Sequence, residues 1–332
     1  MAAYTGIQGQ NILIVSSDPA NPTEGQIWYN STSNLLKGYA NVVTNAWASG
    51  GNLNSGRTTL AGAGTQTAAL GFGGYSPNIT AASESYNGTA WTTTPSLNTA
   101  RRIPGGTGLQ TAALAFGGLG APGVGTNLTA TELWNGSTWT NNPTGLPVGR
   151  HGGGTAGTQT ASLMFGGSPY LNNTVSFDGS TWTAVPGNLN TARQSLGGSG
   201  TQTAALAFGG AIPGNVTGAT ELWNGSTWTN NPTGLNTVRQ ALGGSGTQTL
   251  AIAFGGYAGP PGNTAATELW NGSTWTTSPT SMSTARYNLG SAKNGAQTAA
   301  LGFGGYVGGS PYSNATEEWT GASVQVRTIT PS

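Results

Sequence analysis

An all-β chain made of six repeated units is what three features of this sequence predict. The first is recurrence: a Phe-Gly-Gly element returns at Phe72, Phe116, Phe165, Phe208, Phe254 and Phe303, at intervals of 43 to 49 residues. The second is the absence of a sustained 3.6-residue apolar period in a chain with 57 glycines and 17 prolines, a composition hostile to helix. The third is an Asn-Gly or Asp-Gly dipeptide at the same place in five of the units, a hairpin signal. Units of this length are too long for leucine-rich or ankyrin repeats and match four-stranded blades. The expected fold is therefore a six-bladed β-propeller.

The stretch from Arg193 to Pro232 serves as the type unit. A Gly-rich first strand (Gly197, Gly198, Gly200) leads through Thr-Gln-Thr to the apolar second strand, Ala204 to Phe208, which Gly209-Gly210 closes. A variable Gly/Pro/Asn loop precedes the third strand, Ala219 to Trp223, and Asn224-Gly225 turns the chain into a fourth strand carrying Trp228. Asn-Gly suits the positive φ angles of a two-residue hairpin turn. One such unit leaves its apolar faces wet, so neighbours must stack.

Arg opens each unit at Arg57, Arg101, Arg150, Arg193, Arg239 and Arg286, and an aromatic pair recurs, as in Trp134 and Trp139 or Trp223 and Trp228. With the Gly pair and the acidic residue of the third strand, this pattern resembles the kelch repeat over roughly residues 47 to 325, although the aromatic pair is closer together than in typical kelch units. The resemblance implies a propeller fold. It implies little about activity, because kelch-type propellers serve as enzymes, adaptors and adhesins.

Residues 1–45 do not follow the repeat and are expected to form a separate attachment segment, with 46–332 as the propeller. The run from Pro19 through Gly25, Ile27, Trp28 and Tyr29 resembles a small β module of bacteriophage tail-fibre and virion proteins; an ordinary hairpin cap is the plainer alternative. Trp47 precedes Arg57 by the same ten residues that separate Trp91 from Arg101. Ala46 to Ser49 thus reads as a fourth strand with no blade before it, and the last unit has Val324 where Trp belongs. Closure by this N-terminal strand is the favoured topology, and a fourth strand from Ala322 to Thr328 is the rival.

Charged residues are 6% of the chain and the net charge is +1, so neither a basic patch for nucleic acid nor an acidic tail is expected. No apolar run suggests a membrane span, and Met1 to Gln10 lacks the pattern of a Sec signal. Glu84, Glu132, Glu221, Glu268 and Glu317 stand on five of the six third strands, and Val175 breaks the series. Paired with Arg57, Arg101, Arg193, Arg239 and Arg286, they are expected to be structural ion pairs rather than a ring of active sites. The glycine pairs Gly105-Gly106, Gly153-Gly154, Gly197-Gly198 and Gly243-Gly244 are expected to permit close approach of the first strands. A phosphate cradle would need a following helix.

One histidine, His151, and no cysteine leave no expected metal site or cofactor, and no Ser-His-Asp arrangement is expected with only Asp18 and Asp178 as aspartates. Ser176 to Trp182 is one residue short of a sialidase Asp box, so a turn is the better reading and no catalytic activity is expected. The second connections vary while Thr-Gln-Thr and Asn-Gly do not. Recognition is therefore assigned to the second-connection face, with Tyr75, Tyr170, Tyr257, Tyr306 and Tyr312 as ligand-binding candidates for a neutral polar ligand such as a glycan.

Together these features predict a non-enzymatic structural or adhesion protein of a bacteriophage virion, on a tail fibre, an appendage or the capsid surface. Its expected partners are other virion proteins through the N-terminal segment, a host-surface glycan or protein at the loop face, and further copies of itself. A cellular kelch-type adaptor and a secreted carbohydrate-active enzyme are the alternatives.

Overall fold

The computed structural model describes residues 12–23, 25–42, 45–120, 125–260, 262–308 and 312–329. The chain divides into two compact units: Met1–Asn45 with Gly321–Ser332, and Ala46–Thr320. Among the described residues there is no helix long and apolar enough to cross a membrane, and all regular structure is β.

In the first unit, four strands lie in the order Leu13–Val15, Ile27–Asn30, Leu35–Val42 and Ser323–Thr328. The first pair is parallel and the other two are antiparallel. Gly321–Ser332, counted with the repeats from the sequence, thus clusters with the N-terminal segment. In the same unit Asp18, near the surface, takes hydrogen bonds from Trp28 Nε1 (3.1 Å) and Asn30 Nδ2 (2.7 Å) and an ion pair from Lys37 (2.7 Å). The bond from Lys37, then those from Asn30 and Trp28, hold the Asp18 carboxyl down at about 2.

The second unit is propeller-like: among the described residues it holds six four-stranded antiparallel sheets, each ordered first to fourth strand. The type repeat, repeat 4, comprises Gly197–Gly200, Ala205–Phe208, Thr220–Trp223 and Trp228–Asn231. In repeat 6 the strands are Gly290–Ser291, Ala299–Phe303, Thr316–Thr320 and then Ala46–Ser49, whose Trp47 lies opposite Trp319. Of the two sequence alternatives for that position, the strand beside Thr316–Thr320 is the N-terminal one, and Ser323–Thr328 pairs with Leu35–Val42 instead.

Three contacts repeat at every junction between neighbouring sheets. The fourth-strand Trp donates its Nε1 proton to a third-strand hydroxyl of the preceding repeat: Trp139 to Ser83, Trp182 to Thr131, Trp228 to Thr174, Trp275 to Thr220, Trp47 to Thr267 and Trp91 to Thr316, at 2.8–3.2 Å. The same indoles meet the Phe of that repeat at 4.6–5.1 Å between ring centroids, as Trp228 meets Phe165. The Gln of Thr-Gln-Thr gives its amide to two carbonyls there, as Gln202 does to Ser162 and Phe177. The fourth-strand indoles and the Gln amides are thereby partnered, and each such bond contributes about 1 kcal/mol net.

Two sequence expectations change in detail. The first-strand glycine faces the Phe of its own sheet: a Cβ on Gly197 would lie 2.3 Å from the Phe208 ring. The second faces the preceding repeat, where a Cβ on Gly198 would meet the Thr155 carbonyl oxygen at 2.6 Å. In repeat 3 these two places are held by Gly154 and Thr155. The Asn-Gly turns also work differently from a two-residue hairpin with two positive φ angles. Only the Gly takes one (Gly225, φ 95°), and the Asn224 side chain accepts from the N–H groups of Ser226 and Thr227. Asp178 makes the same bonds to Ser180 and Thr181, a turn role that accounts for its depressed pKa.

Candidate functional site

The buried Arg of each repeat fixes the point from which the site is built. Arg57, Arg101, Arg193, Arg239 and Arg286 form ion pairs of 2.6–3.1 Å with Glu84, Glu132, Glu221, Glu268 and Glu317, all but excluded from solvent. Burial lowers the Arg pKa values and the paired carboxylate works against it. The second carboxylate oxygen accepts the N–H of the residue three before the Arg, as Glu221 does from Asn190 at 2.7 Å. The charges therefore tie a third strand to the incoming link, and no ligand contact is left to them.

With the Arg anchored, the next two residues of each link are placed. The first of them faces the second connection and pairs with it through backbone bonds. Thr58 pairs with Tyr75, Arg102 with Leu119, Gln194 with Ala211, Gln240 with Tyr257 and Tyr287 with Tyr306, while the His151 carbonyl accepts from Ser168. The second takes a left-handed conformation in all six links: Thr59, Ile103, Gly152, Ser195, Ala241 and Asn288, with φ of 52–64°. Five of these are not glycine, and such strain persists only where the surroundings hold it. Here what holds it is a relay of backbone bonds of 2.6–2.8 Å. Thr59 donates to Asn288, Ile103 to Thr59, Ser195 to Gly152, Ala241 to Ser195 and Asn288 to Ala241.

Around this relay lies the aromatic surface. Tyr287 stacks at an angle between Tyr257 (5.7 Å) and Tyr306 (5.3 Å), Tyr75 meets Tyr312 edge-on at 5.7 Å, and the Arg102 guanidinium lies 5.7 Å from the Tyr75 ring centre. Burial, then the neighbouring phenols, raises the pKa values of Tyr287 and Tyr312. One cleft of about 360 Å³ is bordered by His151, Gln194, Gln240, Tyr257 and Tyr287, and a second of about 340 Å³ by Tyr170, Gln194, Asn215, Gln240 and Tyr257. His151 is held by Asn127 at 2.7 Å, and burial, then Arg102, lowers its pKa and keeps it neutral near pH 7.

Of the five tyrosines singled out in the sequence, Tyr257 and Tyr306 flank one ring, Tyr75 and Tyr312 touch each other, and Tyr170 shares a cleft with Tyr257. Tyr287 and the residues equivalent to it were missed. Their signal was a position of changing identity (Thr58, Arg102, His151, Gln194, Gln240, Tyr287) directly after an unchanging Arg. Among the described residues no His, Asp or Glu cluster could hold a metal ion. Comparison with known proteins found no matching family model and no matching curated protein.

Proposed function

We propose that the six sheets are the blades of a closed, kelch-like six-bladed propeller whose second-connection face binds a neutral polar ligand, a host-surface glycan. The protein is read as a non-enzymatic component of a bacteriophage virion, on a tail fibre, an appendage or the capsid surface. Identical Trp, Phe and Gln contacts at every junction, repeat 6 on 5 and repeat 1 on 6 included, support closure. The lead, with Trp28 buried over Asp18, supports an attachment role through its likeness to tail-fibre modules.

One observation carries the binding reading: the links present five residue types at six equivalent places, beside clefts with partly exposed Tyr257 and Tyr287. Sugar rings offer C–H faces to aromatic planes and hydroxyls to amides and phenols, which is the chemistry assembled there. The test is binding of the purified chain to host envelope and to a panel of neutral oligosaccharides, with Tyr287→Ala and Gln240→Ala beside wild type. Loss of binding by at least tenfold with an unchanged Tm supports the reading; full binding by both variants refutes the site. Absence of the chain from purified particles refutes the virion assignment.

A further inference from the structure

Repeat 6 departs from the others at its first connection. Counted from the first-strand glycine opposite the Phe, the Gln follows by five residues in repeat 4 (Gly197, Gln202) and by seven in repeat 6 (Gly290, Gln297), an insertion of two. The added residues reach other repeats. Asn294 donates its N–H to Gly64 of repeat 1 at 3.0 Å and its side-chain amide to Gly157 of repeat 3 at 3.2 Å, and Ser245 of repeat 5 donates to the Gly295 carbonyl at 2.8 Å. The insertion thus spans the space the first strands enclose and floors it. Above the floor is a pit of about 100 Å³, and Lys293 lines it. Ile103, Ser195, Ala241 and Asn288 border both this pit and the wider cleft beneath His151 and Tyr287, so the pit communicates with the loop face.

Among the described residues Lys293 is the only titratable one lining the pit; His151, Tyr257 and Tyr287 border the cleft above. Among the described residues its ammonium has no hydrogen-bond or ion-pair partner, and the five Glu paired with Arg are committed elsewhere. The hydroxyls of Thr155 and Ser291 are spent on the Gly106 and Gly244 carbonyls. Burial pulls the Lys293 pKa down to about 8, which leaves it mostly charged at neutral pH. Lys293 is half-buried, so its ammonium faces the pit rather than being sealed in protein; an opposite charge beside it favours the charged form, and the space admits a ligand of a few heavy atoms.

We propose that this pit binds a compact monovalent anion of the carboxylate class, held by the Lys293 ammonium, either free in solution or carried on a larger ligand at the loop face. Bound anion favours the ammonium, so affinity is full below about pH 8 and weakens about tenfold per unit above it.

The chain has two lysines, Lys37 and Lys293, so lysine labelled with 13C at Cε gives two signals, one of them an internal control. Titrating the intact protein with formate and acetate should raise the Lys293 pKa saturably by one unit or more and leave Lys37 unmoved. Lys293→Met should lose any anion-dependent rise in Tm. A Lys293 pKa unchanged in saturating formate, or a shift shared equally by Lys37, overturns the proposal even if Lys293→Met fails to fold. A uronic-acid oligosaccharide that shifts Lys293 at concentrations where formate does not identifies the carried carboxylate as the source. Binding of neutral oligosaccharides with no response of Lys293 to any anion removes this proposal and leaves the loop-face reading standing.

Discussion

Repeats 3 and 4 share one backbone plan and differ at one polar locus. In repeat 4, Glu221 takes bonds from Arg193 (3.1 Å) and from the N–H groups of Asn190 (2.7 Å) and Thr191 (3.3 Å). In repeat 3 the carboxylate is replaced by Val175, and the residue three before the Arg is Pro147, which has no N–H to offer. The acceptor and its main donor have gone together. Arg150 remains fully buried and gives Nη1 to the carbonyl of Asn173 at 3.3 Å, as Arg193 does to that of Ala219, and also to the Asn173 side chain at 2.9 Å, while its Nη2 is unpartnered. Nε is also unpartnered in Arg57, Arg193, Arg239 and Arg286, so Nη2 is what sets repeat 3 apart. A buried cluster of this kind behaves as a module: removing half would strand the other half, so all of it but the Arg is exchanged.

The largest test of that contrast is Glu221→Ala, which strands Arg193 and two N–H groups. Chemical denaturation should report a loss of about 3–5 kcal/mol. Next, Trp182→Phe and Trp228→Phe should each cost about 2 kcal/mol, because both lose one Nε1–hydroxyl bond and some packing. Unequal losses would mean that the peculiarity of repeat 3 spreads beyond its carboxylate position. Smaller still is the repair: Val175→Glu with Pro147→Asn should show a favourable coupling of about 1 kcal/mol in a double-mutant cycle, whereas Val175→Glu alone gains little. A pH-dependent effect widens the comparison to repeat 6. Lys293 is depressed to about 8 from 10.5, so the unfolded chain binds more protons between those values. Wild-type stability relative to Lys293→Met should therefore rise as pH climbs from about 8 to about 10.5, measured by paired thermal melts.

What the sequence made legible was whatever recurs. The Phe-Gly-Gly spacing and the Trp series announce four-stranded units, and the Arg–Glu pairing follows from two residues that return together. The junction role of Gln202 and its equivalents was hidden because its partners are carbonyls of another repeat, which leave no mark in residue identity. The Asn224 turn was misread in mechanism because the dipeptide fits two geometries, and only the side-chain bonds decide between them. The site was hidden for the opposite reason. Gln194, Gln240 and Tyr287 stand where nothing recurs, and attention to periodicity passes over the one variable place in a constant frame. Lys293 belongs to a short insertion whose consequence is visible only once Asn294 is seen reaching repeats 1 and 3.

Ala46–Ser49 is written ahead of repeat 1 and seated in the sheet of repeat 6. During synthesis this strand emerges before the other strands of the six sheets, and its berth is made after theirs. Until Thr316–Thr320 arrives, Trp47 has no Trp319 to lie against, and an apolar edge waits through the manufacture of five other sheets. The chain must therefore reach its final conformation late and at one stroke, and a nascent fragment lacking the last sheet is where self-association between copies would begin.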